Sequence, residues 1–353
     1  MEQFLDIYRL KYICRILRIC LKPKAIYIVG SRAGNIYRPD SDYDVLIYLG
    51  IIRTICLFPK LKALEKKIQN RLGIELSIGP LTPFRLYWSK SNLFLFKVKQ
   101  YSKLLYGIDV RDQIRSNLQD ISNENYISYL ICSLMKILND VNIREIFSKK
   151  HLTKQSSISV LKGFLACAEV ELFLSNQLYK NSEDLLIQYR KTFKNQNQTE
   201  LFKVLEKLDP AKFNDQCDIS FWFLCKDSLI RLLSRLISNE FNWKNYELDR
   251  IFELYSKKTS LPIFGNYRYV ISKFLMDGRL DIMRLIQFKR VDRFYRMLLC
   301  LLAFGINPEG FNHRLLDTLF KNLFGNYSKD TVKVWESILM ETQKHLKWTE
   351  TVL

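Results

Sequence analysis

The sequence predicts an α+β chain in two parts: a small mixed-sheet domain over residues 1–112 and a larger all-helical domain over 113–353. Three observations carry this. Two short apolar runs, Ile26–Val29 and Val45–Tyr48, have the length and β-branching of buried strands and bracket a polar stretch. Ile74-Glu75-Leu76-Ser77-Ile78 alternates apolar and polar residues, as a half-buried strand does. From about Gln113 onward this alternation vanishes, and Leu, Ile and Phe recur at helical spacing.

In chain order, Gln3–Leu21 places Phe4, Ile7, Tyr8, Leu10, Ile13 and Leu17 on a helical stripe that would pack on a sheet, and Pro23 ends it. The first strand runs straight into Gly30-Ser31. A glycine at a strand end lets backbone N–H groups approach an anion, and a following serine can donate to a phosphate oxygen. A polar loop leads to Asp42-Tyr43-Asp44, whose two acids stand one residue apart at the mouth of the second strand. Residues i and i+2 of a strand share a face, so both carboxylates aim at one region. Like charges so close call for a cation, and hard oxygen ligands favour Mg²⁺, which is held by one or two carboxylates together with substrate phosphates. A phosphate cradle beside such a pair is equipment for phosphoryl or nucleotidyl transfer. Alone, an Asp-x-Asp is commonly a solvated loop and a Gly-Ser a turn. Arg32 and Arg38 fall where a triphosphate would lie, although a solvated Arg38 reads equally well.

Beyond Gly50, Ile51–Leu57 is apolar and unassigned. Pro59–Leu72 reads as a helix with proline in its first turn, Leu61, Leu64, Ile68 and Leu72 on one stripe, and Gly73 at its stop. The strand Ile74–Ile78 follows, closed by Gly79-Pro80. Only two acids lie between Asp44 and Asp109: Glu65, beside Lys62 and Lys66, reads as a surface ion-pair member, and Glu75 stands on the strand. Phe84–Gly107 interleaves aromatic and basic residues, a pattern of single-stranded nucleic-acid contacts and also of a half-buried surface. In the second part, helices are expected over a segment capped by Ser122-Asn123 and over Ser156–Tyr179, Ile219–Ile237, Asn266–Leu275, Val291–Phe304 and Asn326–Leu346. Asn195–Gln198 reads as a polar loop, and Asp209-Pro210 and Leu261-Pro262 as turns.

At 353 residues the chain is long enough for two domains. No apolar run approaches the roughly 18–20 residues of a membrane span, and charges interrupt the N-terminal helix where a signal peptide would be apolar. Eight cysteines, none in a Cys-x-x-Cys pair, suit a reducing compartment, with cytoplasm the expected location. The net charge is +19, and residues 1–112 hold 20 Lys/Arg against 9 Asp/Glu, a balance of +11. Such an excess favours polyanions, RNA, DNA or NTPs, and serves solubility as well.

The stretch GSRAGNIYRPDSDYDVLIYL resembles the signature of the DNA polymerase β-like nucleotidyltransferase superfamily, and is most similar to its minimal nucleotidyltransferases and aminoglycoside adenylyltransferases. Lys103-Leu104-Leu105-Tyr106-Gly107-Ile108-Asp109 resembles the "LYG-x-D" stretch that ends the domain in several minimal members. The resemblance implies a small sheet with helices behind it and the active site on the open face. It implies Mg²⁺-dependent transfer of an NMP, AMP in the adenylyltransferases, from an NTP to a hydroxyl of a small molecule or protein. Asp42 and Asp44 would bridge two Mg²⁺. Glu75, in a segment like the L-E-V-T strand of the antibiotic adenylyltransferases, would complete the metal site and act as base; without the resemblance it is an outward-facing strand residue. Gly30, Ser31, Arg32 and Arg38 would hold the triphosphate. The helical domain would help hold the acceptor, and there Glu169 and Glu171 could meet a cationic substrate. RNA-end nucleotidyl transfer and a non-catalytic, antitoxin-like module are the alternative functions.

Overall fold

Four strands form a mixed sheet in the spatial order β3-β2-β1-β4, with β1 at Ala25–Val29, β2 at Tyr43–Tyr48, β3 at Leu76–Leu81 and β4 at Lys103–Gly107. β1 pairs antiparallel with β2 and with β4, and β2 runs parallel to β3. The computed structural model describes residues 2–33, 41–87, 91–140, 152–194, 200–207, 217–243, 246–247, 250–251, 254–255, 305–307, 309–314, 336 and 340. They fall into two compact units, one within 1–122 together with 178–184, the other within 123–177 and from 185 on. Arg38, Trp88, Lys90, the polar loop Asn195–Gln198, the turns at Asp209-Pro210 and Leu261-Pro262, and the helices expected over Asn266–Leu275 and Val291–Phe304 lie outside the described residues, as does nearly all of Asn326–Leu346.

The unbroken apolar runs of β1 and β2 follow from burial on both faces, which removes the need for a polar alternate position. On one face Ile26, Ile28, Tyr43, Val45 and Ile47 pack beneath helices α1 (Glu2–Leu21) and α2 (Ile51–Leu72). On the other, Ala25, Tyr27, Leu46 and Tyr48 meet Leu86 of α3 (Pro83–Tyr87), Leu95 and Val98 of α4 (Leu93–Tyr101), and Val110 and Ile114. The second face is therefore covered over much of its area rather than open. The aromatic-basic stretch supplies part of that cover: Phe96 is buried and meets Tyr101 edge-on at 6.4 Å. Tyr101 stacks on Tyr179 at 4.8 Å, which brings the distant segment 178–184 into the first unit.

Several elements depart from their expected bounds. α2 starts at Ile51, so Pro59 lies inside the helix instead of in its first turn. An interior proline costs about 3 kcal/mol. Leu57, packed on the same cluster, extends the stripe of Leu61, Leu64, Ile68 and Leu72 upstream through the proline without a change of phase, and each fully buried leucine or isoleucine contributes about 1.5–3 kcal/mol. Burial wins. Gly73 ends the helix at φ 61°, its N–H bonded to the Gln69 carbonyl. β3 is shifted toward the C-terminus and includes Gly79 and Pro80, while Glu75 falls just before it. Pro80 is tolerated because β3 is an edge strand. That edge is managed by α2: the Ile78 N–H donates to Glu65 Oε2 at 2.7 Å, and Gln69 Nε2 donates to the Leu76 carbonyl at 2.7 Å. Glu65 pairs with Lys62 at 3.0 Å as expected, and it also blunts the strand edge. In α1 the core stripe is Leu10, Ile13, Leu17 and Leu21, whereas Ile7 and Tyr8 are 50% and 62% exposed.

The opposite edge strand, β4, was not apparent in the sequence. It ends at Gly107, with φ 90°, where a Cβ would lie 1.9 Å from the Lys24 carbonyl oxygen. The Ile108 N–H donates to that same oxygen at 3.1 Å.

In the second unit α5 (Asn123–Asp140), α6 (Lys154–Leu174) and α9 (Ile219–Phe241) pack together, and α7 (Ser182–Phe193) and α8 (Glu200–Lys207) add Tyr189 and Phe202 to the buried set. α6 begins two residues before the expected Ser156, because Thr153 caps it by accepting from the Ser156 N–H at 3.2 Å. It ends at Leu174, short of Tyr179, where Asn176 turns to φ 55°. Asp218 caps α9 through the N–H groups of Ser220 and Phe221. Gly163 sets the closest approach of the three helices, since a Cβ there would stand 2.5 Å from Cys225 Sγ and 3.2 Å from Ile137 Cγ2. Trp222 is fully buried, and its Nε1–H donates to the Ile137 carbonyl at 3.0 Å. One departure from an all-helical part is a small antiparallel pair, β5 (Ile306–Asn307) with β6 (Gly310–Phe311). Among the described residues no helix is long and apolar enough to cross a membrane.

The two glycines at strand and helix junctions of the sheet unit give opposite expectations. Gly107→Ala meets a backbone oxygen and a left-handed φ together, so it should destabilise the fold by about 2 kcal/mol or more. Gly50→Ser enters open space at the N-cap of α2 and should be neutral or gain a few tenths of a kcal/mol. Urea unfolding of the full chain followed by circular dichroism reads both.

Candidate functional site

The antiparallel register places Val29 opposite Asp44, so the chain leaving β1 turns directly beneath the Asp44 side chain. There it enters a 3-10 turn, Gly30–Ala33. Gly30 adopts φ 70°, and a Cβ on it would lie 2.8 Å from Asp44 Oδ2. Only glycine lets the carboxylate and the turn approach this closely. Gly30 and Ser31 are exposed, and Asp42 and Asp44 are half-buried. The Tyr43 ring faces the α1–α2 cluster, and alternation about it turns Asp42 and Asp44 to the other face. Ser77, exposed on β3, pairs with Asp44 across the parallel ladder and joins this face. The turn, two carboxylates and a hydroxyl thus gather at one end of the central strands.

Arg32, expected on the triphosphate, points inward instead. Its guanidinium lies 3.7 Å above the Tyr43 ring, its Nη1 contacts Asp6 Oδ1 at 2.5 Å, and its Nε donates to the Ser41 carbonyl at 2.8 Å. The Tyr43 hydroxyl donates to the same Asp6 oxygen. Burial is the first cause of a raised Tyr43 pKa, and the hydrogen bond to Asp6 adds to it. Arg32 therefore links the Gly-Ser turn, the residue before Asp42, the tyrosine between the two aspartates, and α1. Asp6 escaped sequence reasoning, yet it sits in phase with Leu10, Ile13 and Leu17, and an acid on a core stripe demands a partner. Arg38 lies outside the described residues.

Glu75 is exposed and precedes β3, where its carbonyl accepts from the Tyr43 N–H at 2.9 Å. Extending the parallel register by one step from Tyr43↔Leu76 sets Glu75 beside Asp42. Among the described residues no group of three or more His, Cys, Asp or Glu side chains is placed to hold a metal ion. Asp42 and Asp44 remain a two-carboxylate set, which suits a hard cation that takes its other ligands from phosphate oxygens and water.

The "LYG-x-D" stretch closes the unit. The Tyr27 hydroxyl accepts from the Val110 N–H at 2.7 Å and donates to Asp109 Oδ1 at 3.2 Å. Arg111 grips Asp109 with Nη2 at 2.6 Å and reaches the Ser102 carbonyl with Nη1 at 2.7 Å. The Arg111 hydrogen bond is the main reason the Asp109 carboxyl is held down at about 2. Burial pushes the Tyr27 hydroxyl up to about 12.

In the second unit Glu169 is buried and accepts from the Tyr129 hydroxyl at 2.6 Å. Glu171 accepts from Tyr189 at 2.7 Å and from Arg235 at 3.1 Å. Both acids are engaged inside their own unit. The basic, aromatic-dotted sequence stretches 267–273 and 279–296 lie outside the described residues. No protein family, curated protein or solved structure matches the chain.

Breaking one partner of a buried ion pair costs about 3–5 kcal/mol, so Arg32→Ala and Asp6→Ala should each strongly lower the denaturation midpoint, whereas Ser31→Ala should leave it unchanged. A phosphate-binding arginine on the surface would leave the midpoint nearly unchanged in all three variants. Asp109 sets a pH dependence of known sign. Its folded pKa lies below the ordinary 3.8, so its stabilising contribution is complete above that value and is lost as pH falls toward about 2. The difference in melting temperature between wild type and Asp109→Asn should shrink across that window.

Proposed function

We infer that the sheet unit carries a Mg²⁺-dependent nucleotidyltransferase site, moving an NMP, AMP by the adenylyltransferase likeness, from an NTP to a hydroxyl acceptor, with the α–β phosphoanhydride bond broken and pyrophosphate released. The observation that supports it most directly is the 2.8 Å separation between the Cβ position of Gly30 and Asp44 Oδ2. It brings a glycine-serine turn, open to solvent, against a carboxylate pair. In this reading the exposed backbone at Gly30 and the Ser31 hydroxyl bind phosphate oxygens of the NTP. Asp42 and Asp44 hold the metal, which when bound supplies charge neutralisation around the transferred phosphate. Glu75, exposed beside Asp42 in the register, accepts the proton of the acceptor hydroxyl. Arg32 and Asp6 hold the two halves of the site in place, and the chain's contribution is largely positioning. A second reading, RNA as the acceptor, is favoured by the +11 balance of Lys/Arg over Asp/Glu in residues 1–112.

The test is incubation of the folded, full-length protein with each α-labelled NTP and Mg²⁺, with bulk RNA and cell extract as acceptors. Label moving to RNA, protein or a small molecule is the expected result and identifies the acceptor class. Asp42→Ala/Asp44→Ala should abolish transfer, and Gly30→Ala should reduce it by about 100-fold or more by displacing the Asp44 carboxylate, as expected for mispositioned reacting groups. Neither transfer nor Mg²⁺-dependent NTP binding by the folded protein would overturn the enzyme and leave a non-catalytic module.

A further inference from the structure

The α1–α2 layer covers the face of the sheet opposite Asp42 and Asp44, and the candidate site uses none of its outer surface. The two helices lie side by side and antiparallel. Arg53, at the start of α2, donates to the Lys22 carbonyl just past the end of α1, at 3.1 Å. Arg71, at the end of α2, sits 5.2 Å from the Tyr12 ring near the middle of α1. Their inner sides are buried against the sheet, so their outer sides form one surface of 20- and 22-residue helices, each about 30 Å long at 1.5 Å per residue.

That surface carries a row of cations, interrupted on α1 by the exposed Leu5, Tyr8 and Ile19. Lys11, Arg15 and Arg18 are exposed on α1, and Lys60, Lys67 and Arg71 on α2. Among the described side chains of the two helices no carboxylate is exposed: Asp6 is buried on Arg32, and Glu65 is turned to the β3 edge. The spacing makes this costly. Lys11 with Arg15 and Lys67 with Arg71 are like charges at i, i+4, each destabilising a helix by about 0.2–0.5 kcal/mol. Alternating acids would have removed the penalty and kept solubility. A surface that accepts repeated repulsion is suited to a partner that supplies the missing anions.

We propose that the outer face of α1 and α2 is a docking surface for the phosphate backbone of a nucleic acid, separate from the candidate transfer site on the other face of the sheet. A row of phosphates offers repeating charge along the length of both helices, and Lys and Arg contacts to it release counterions. The alternative polyanion, an anionic membrane, fits less well: the core stripe of each helix is spent on the sheet, the exposed Leu5, Ile7, Tyr8 and Ile19 of α1 are interspersed with cations, and α2 has no exposed large apolar side chain among its described residues. The proposal does not depend on the enzyme reading.

The experiment is fluorescence anisotropy of the full-length protein with labelled duplex RNA, duplex DNA and single-stranded RNA across a salt series, with flotation on phosphatidylserine vesicles in parallel. The surface variant is Lys11→Gln/Arg15→Gln/Lys60→Gln/Lys67→Gln. A control of equal charge change, Lys162→Gln/Lys191→Gln/Lys194→Gln/Arg231→Gln, alters exposed cations of the second unit. Wild type and control should bind nucleic acid with the same steep slope of log affinity against log salt. In the surface variant the magnitude of that slope should fall by about 0.7–0.9 for each phosphate contact removed, and affinity at least tenfold. The three nucleic acids distinguish which form is preferred. Equal losses in the two variants, no binding by wild type, or binding to vesicles alone would overturn the proposal. Asp42→Ala/Asp44→Ala should bind nucleic acid as wild type does, which separates this outcome from failure of the transfer reaction.

Discussion

The ion pair between Arg32 and Asp6 is the constraint on which the candidate site at one end of the sheet depends. An arginine directly after the exposed Gly30 and Ser31 would ordinarily face solvent. Here the 3-10 turn at Gly30–Ala33 swings it beneath the sheet, where Asp6 of α1, the ring of Tyr43 and the carbonyl of Ser41 enclose it. A buried guanidinium tolerates burial only when its donors are satisfied, and satisfying them fixes the positions of three chain segments relative to each other. Ser41 and Tyr43 flank Asp42 directly. The geometry of the carboxylate pair is thus inherited from contacts on the far side of the strand.

The remainder of the unit follows from finishing a four-stranded sheet. Side chains of α2 bond free groups on the β3 edge, and the Tyr27–Asp109–Arg111 cluster secures the chain leaving β4. Glycine appears where backbone or carboxylate comes too near for a side chain, at Gly107 and Gly30. Electrostatics and sterics divide the labour. The apolar clusters set which face each residue takes, and the few buried polar contacts set the register of the loops.

Much of this architecture could be read from the chain. The strands at Ile26 and Val45, the helices over most of α1, α5, α6 and α9, and the separation of a sheet from a helical part all follow from periodicity. The meeting of Gly30 with Asp44 needed in addition the antiparallel pairing of those two runs, which periodicity does not give. What periodicity missed were positions at which two rules compete. Pro59 marks a helix start by local preference, but the Leu57–Leu72 stripe carries the helix through it. Gly79-Pro80 resembles a strand terminator, yet an edge strand accommodates both. Arg32 was legible as a cation near the site and illegible as a buried one, because its partner Asp6 lies 26 positions away and the pairing exists only in the fold. Glu65 likewise reads as a surface partner of Lys62, and its bond to a strand N–H needs the tertiary arrangement.

The stacking of Tyr101 on Tyr179 bears on how the chain can be divided. Residues 178–184 belong with the sheet although a helical stretch of the other unit, 123–177, is threaded between them in sequence. The boundary is therefore topological as well as compositional: cutting after the sheet's last strand would sever a tyrosine from the ring it covers. A fragment that stops at the end of β4 would therefore leave the Tyr101 ring without its stacking partner.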